Sequence, residues 1–152
     1  MKRILVIMLM CAMLLFAAAM AEQPTPMLVS CVYSIFGGME NEDFTYTIRL
    51  DDSPEMALLT LAKRDGFEAY TLPRKALDDL AELMAAYNPA GWSSLPEREE
   101  FALDAPVRSI ELVYEDGSEY TLSNDRETGG PIFADTEKMI LDCLGKGLEG
   151  LF

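Results

Sequence analysis

The chain has 152 residues, 26 of them acidic and 12 basic, for a formal net charge of −14, and it contains no histidine. So acidic a surface repels phosphate backbones and anionic headgroups, which weighs against nucleic-acid binding and charge-driven membrane association; ordinary solubility or a cationic partner accounts for it. Without imidazole there is no Ser-His-Asp or Cys-His nucleophile arrangement, no His-ligated zinc and no imidazole proton shuttle, so catalysis would rest on carboxylates, Lys, Tyr or a lone thiol.

Met1-Lys2-Arg3 precedes an apolar run from Ile4 to Met20, with small side chains at Ala19 and Ala21. Positive charges, an apolar segment and a small-residue cleavage site are the three parts of a secretory signal peptide. Residues 1–21 are therefore expected to be removed on export to the envelope or the extracellular space, with the mature chain starting at Glu22. Removal leaves 131 residues and, because Lys2 and Arg3 go with the leader, a charge of −16. That length suits one domain, 28–152, behind a short polar remnant, 22–27. Two alternatives place the protein at a membrane: an uncleaved anchor, since spanning takes roughly 17 residues or more, and lipidation of Cys31 in Leu28-Val29-Ser30-Cys31. The second is weakened by Glu22-Gln23-Pro24-Thr25-Pro26, which separates that tetrapeptide from the apolar run.

Leu28 to Phe36 reads as a strand ending at Gly37-Gly38. In the next, Phe44, Tyr46, Ile48 and Leu50 alternate with Thr45, Thr47 and Arg49, so one face is buried and one wet. Asp51-Asp52-Ser53-Pro54 turns the chain; Met56 to Lys63 is apolar and extended; Asp65-Gly66 signals a hairpin into a shorter strand, Phe67 to Thr71. Pro73 suits a first helical position, and Leu77, Leu80, Met84 and Tyr87 follow at helical spacing until Asn88-Pro89. A loop from Asn88 to Pro106 holds the one tryptophan, Trp92, and the acidic run Glu97 to Glu100. Ser109 to Tyr114 and Glu119 to Ser123 flank Asp116-Gly117, which suits a type I′ turn. After the loop Asn124 to Pro131, Asp135 caps a final helix, Thr136 to about Leu144, ended by Gly145 and Gly147. The order β-β-β-β-α-β-β-α predicts an α+β domain: a mostly antiparallel sheet with two helices on one face.

Three groups of residues are candidates for function. Cys31 and Cys143 form an even pair in an exported chain, and strand and helix parity point both inward. A bridge between them would stabilise by roughly 4–5 kcal/mol in the chain-entropy model, and two buried thiols without a bond fit the same parity. Gly37, Gly38 and Met39 form a loop either structural or open to close approach by a ligand; Glu40, Glu42 and Asp43 beside it repel phosphate. Trp92 either stacks on a sugar or partner side chain, or covers the edge of the core. Glu40 to Asp43 and Asn124 to Glu127 offer oxygen atoms to calcium, but neither matches a calcium loop, and Arg126 opposes a cation. No catalytic carboxylate pair, metal ligand set or cofactor motif stands out, and Cys31 lacks a neighbouring base in the sequence.

The leader, the strand ending in Gly37-Gly38-Met39, the proline-started helix, Trp92 shortly after it, Asp104-Ala105-Pro106 and the Asp116-Gly117 hairpin together resemble a group of small uncharacterised exported bacterial proteins. The resemblance implies an exported α+β domain and no activity or site residues. The expectation from the sequence is a non-catalytic binding module with a protein or glycan partner, using the Gly37–Asp43 and Trp92 loops if they share one end of the sheet. A carboxylate-dependent hydrolase of wall glycan or peptide, and a structural accessory domain, are the alternatives.

Overall fold

A computed structural model describes residues 26–37, 43–98, 105–128 and 131–149, the last four by backbone alone. The signal segment, Gly38 and Met39 therefore lie outside the described residues. Strands β1 (Leu28–Phe36), β2 (Phe44–Leu50), β3 (Met56–Lys63), β4 (Gly66–Pro73), β5 (Val107–Tyr114) and β6 (Glu119–Ser123) form one antiparallel sheet in the order β4-β3-β2-β1-β5-β6. Helices α1 (Lys75–Ala86) and α2 (Ile132–Glu149) complete the α+β domain, together with a 3-10 turn over Pro89–Ser94.

Alternation of apolar and polar residues fixes which face is covered. Cross-strand register lines up Tyr70, Leu59, Ile48, Cys31, Leu112 and Tyr120 in one row, and Glu68, Leu61, Tyr46, Tyr33, Ile110 and Leu122 in the next. Most of these side chains, with Leu77, Leu80 and Met84 of α1 and Ile132, Phe133 and Ile140 of α2, make one core. Both helices thus lie on the same side. An irregularity between Leu28 and Ser30 shifts the register of β1, so that Leu28 comes opposite Tyr114 and joins the core despite its even number.

The elements differ from expectation at four places. Pro73 does not start the helix; it pairs with Met56 as the last residue of β4, and α1 begins at Lys75. β4 is an edge strand, where a residue without an N–H leaves no ladder bond unmade. The Asp116-Gly117 turn is not type I′, which requires two central residues with positive φ. Only Gly117 has it (+81°), and Tyr114 exchanges bonds with both ends of the turn: Gly117 N–H donates to Tyr114 O at 2.9 Å, and Tyr114 N–H donates to Ser118 O at 2.9 Å. This is a three-residue loop closing on a left-handed glycine. Helix α2 starts at Ile132, four residues before Thr136, because Ile132 and Phe133 reach into the core (1% and 8% exposed). Nor do Gly145 and Gly147 end it. A glycine terminates a helix by taking positive φ, and among the described residues only Gly37 and Gly117 among the glycines do so.

Candidate functional site

The chain closes β1 onto β2 through Gly37, whose φ is +74° and whose N–H donates to Asp43 Oδ1 at 2.8 Å. This is the end of the sheet where β1 and β6 finish and β2 and β5 begin. The segment that follows Trp92 is fastened to the same end: Arg98 N–H donates to Asp125 O at 2.7 Å, Glu127 N–H to Pro96 O at 2.9 Å, and Arg126 Nη1 to Leu95 O at 3.1 Å. Asn124 ties β6 to the start of β5, accepting from Arg108 N–H at 3.0 Å and donating through Nδ2 to Pro106 O at 2.9 Å. The Gly37 turn and the loop after Trp92 therefore share one end of the sheet.

Trp92 itself is packed inward. Its side chain is 4% exposed, and its indole N–H donates to Tyr87 O at 3.1 Å. One wall of the indole borders a recess of about 370 Å³, lined also by Leu95, Leu122 and Ile132, with Asn88 and Thr128 among its polar groups. Asn88, which the sequence marks as the end of the helix, has a second place here as a polar group of the recess. It is the sole described non-glycine residue with positive φ (48°), and it stands one residue past Tyr87, the C-cap of α1. The signal was present: an asparagine just past the last helical residue and before proline is a usual left-handed helix terminator. Its amide folds over Gly91, where a Cβ would stand 3.0 Å from Asn88 Nδ2. A side chain at 91 would push the asparagine out of place.

A second concavity, of about 510 Å³, runs between α1 and α2, with Leu83, Met139 and Cys143 between acidic groups. Three of its four carboxylates, all but Glu82, are individually engaged rather than converging. Lys75 holds Asp79, Lys138 pairs with Asp142 at 3.3 Å, and Asp135 accepts the Tyr87 hydroxyl at 2.5 Å. That bond raises the Tyr87 phenol above its ordinary range. Asp135 sits inside the first turn of α2 instead of capping it, because the helix starts at Ile132.

No disulfide joins Cys31 and Cys143. Cys31 is 1% exposed, in the central row between Ile48 and Leu112, and burial pushes its thiol up to about 12. A group so protonated is a hydrophobic filler rather than a nucleophile. Cys143 is half-buried and lines the interhelical groove. Nearby on the sheet, burial first and the Glu137 charge second raise the Tyr33 phenol, opposed by Arg108; Tyr33 donates its hydroxyl to Glu137 Oε2 at 3.2 Å. Among the described residues no group of three or more Cys, Asp or Glu side chains is placed to hold a metal. No described helix is long and apolar enough to cross a membrane. No protein-family model, curated protein or solved structure matches this chain.

Proposed function

We propose that this protein is a non-catalytic binding module of the cell envelope or extracellular space, taking a protein or glycan partner at the end of the sheet shared by the Gly37 turn and the loop after Trp92. The recess beside Trp92 carries the reading. It has an apolar wall and a few polar groups, Asn88 and Thr128, and its volume falls within the ~300–1,000 Å³ of small-ligand sites. It is backed by a buried tryptophan whose N–H is already satisfied, so the apolar wall presents no donor there, as suits one apolar side chain or the apolar face of a sugar.

The substitution Asn88→Gly removes the rim amide while tolerating the left-handed backbone. Titration of the protein isolated from medium or envelope with wall oligosaccharides and peptides, followed by emission of its single tryptophan, is expected to saturate. Asn88→Gly is expected to weaken that binding roughly tenfold, about 1.4 kcal/mol, with an unchanged melting temperature. An emission spectrum indifferent to both ligand classes defeats the reading. Intact mass of the same material, expected to begin at Glu22, checks the address.

A further inference from the structure

The face of the sheet away from the helices carries few charges, and they are arranged across the midline. Even-numbered β1 residues and their partners make its rows: Ser34 stands between Thr45 and Ser109, Val32 between Thr47 and Glu111, and Ser30 between Arg49 and Val113. No described helix packs there, and small hydroxyl and methyl groups predominate. In the three rows that run through all six strands, the charged residues are Arg49 on β2, Glu111 on β5 and Glu119 on β6, all exposed. The cation lies on one side of the line between β2 and β1, and both anions on the other. None of the three has an ion-pair partner among the described residues. Within one chain Arg49 and Glu111 stand two strands and one row apart on the same face and form no ion pair.

We infer that this face is the interface of a homodimer in which two sheets stack face to face about a twofold axis parallel to the strands. Such an axis exchanges the two sides of the sheet. It sets β2 of one copy against β1 of the other, and β3 against β5. Arg49 then lies one strand and one row from the partner copy's Glu111, roughly 8 Å in projection, with the sheets about 10 Å apart. Long side chains bridge that gap, and symmetry makes the pair twice. The face is complementary to itself under this operation. The helix side, whose interhelical groove is rimmed by Asp79, Glu82, Asp135 and Asp142 against Lys138, carries net negative charge that is not complementary to its own copy. Size agrees as well. Six strands at about 4.8 Å spacing and about 24 Å of length present ~700 Å² per copy, and ~1,400 Å² for two copies lies within the range of stable interfaces. Exposed Phe67 and Phe36 (67% and 47% exposed) stand on this same face, by their pairing with Ala62 and Val107.

The dimer leaves the Trp92 recess on the helix side untouched, so the two readings fail separately. Sedimentation velocity of the isolated protein, from about 1 to 200 µM, is expected to show a monomer–dimer equilibrium. Arg49→Glu alone and Glu111→Arg alone are each expected to weaken association roughly tenfold or more, and the double exchange to recover most of the loss. Recovery excludes misfolding as the cause. A wild-type monomer across the whole range overturns the dimer, as does a double exchange no better than either single variant; Trp emission still responding to ligand in that case leaves the binding module standing.

Discussion

Trp92 shows how much a residue's role depends on what surrounds it. As a tryptophan in a long loop it reads first as a lid on the core and second as an exposed anchor, because sequence gives no neighbours. The fold packs it beside Leu122 and Ile132, on separate elements, and gives its N–H to the carbonyl of Tyr87. Trp92→Ala is expected to cost about 3–5 kcal/mol in denaturant unfolding, the range for emptying a large aromatic site. Trp92→Phe keeps most of the packing and loses a hydrogen bond worth about 1 kcal/mol, so it should sit well below that. Equal losses in the two variants would mean that the ring is not packed as described. Asn88 is the converse case: its residue type announced a left-handed terminator, but its place over Gly91 and beside the recess came only from the path of the following turn.

At the scale of elements, period-two alternation located β2, apolar runs bounded by turn residues located β1, β3 and β6 at their observed ends, and the 3.6-residue stripe of Leu77, Leu80 and Met84 located α1. Local chemistry at the joints was less legible. Two Asp-Gly pairs look alike in sequence and are not alike in the fold. Gly66 has no positive φ, closes a two-residue loop by pairing with Lys63, and an added Cβ there would meet nothing within 4 Å. Gly117 stands at φ +81°, and Ser118 donates its N–H and hydroxyl to Asp116 Oδ1 at 2.9 and 2.6 Å. The Ser118 hydroxyl and N–H hold the Asp116 carboxyl below its ordinary range. Gly117→Ala is expected to cost about 1–2 kcal/mol, whereas Gly66→Ala should be neutral or stabilise by up to about 1 kcal/mol through the unfolded chain. Chemical denaturation of the two variants decides it, and a reversed order would refute the turn geometry. Pro73 follows the same logic. A proline that opens a helix and one that ends an edge strand have the same neighbours in sequence, and only the sheet order tells them apart.

For the whole molecule, missing histidines and buried hydroxyl and thiol groups shape stability against pH. Between about pH 5 and 8 no imidazole titrates. Above that, burial raises Tyr33, Tyr46 and Tyr114, and holds Cys31 at about 12. The ordinary values are about 10 for tyrosine and about 8.5 for the thiol. The folded chain therefore keeps protons that the unfolded chain releases, and stability falls as pH rises. Stabilisation is complete below about pH 8.5 and is lost progressively as pH climbs toward the folded values, the thiol contributing first. Melting temperature is expected to be level to about pH 8 and to decline from there to about pH 12, with a shallower decline in Cys31→Ala. A decline of the same slope in that variant would place the thiol outside the core.

The sequence by itself determined the α+β class, the mostly antiparallel character of the sheet and the inward face of β2 and of β1 from Cys31 to Ile35, because periodicity is a local property of the chain; the inward turn of Leu28 came from the register shift. It also excluded imidazole chemistry, because composition needs no coordinates. The tertiary structure alone decided that β4 and β6 are the edges, that the Gly37 turn and the loop after Trp92 share one end, and that Trp92 is buried. It alone set Arg49 and Glu111 across the midline of a face on which no described helix packs. Each of these depends on strand order and register, which bring together residues far apart in the chain, and no local pattern encodes that pairing.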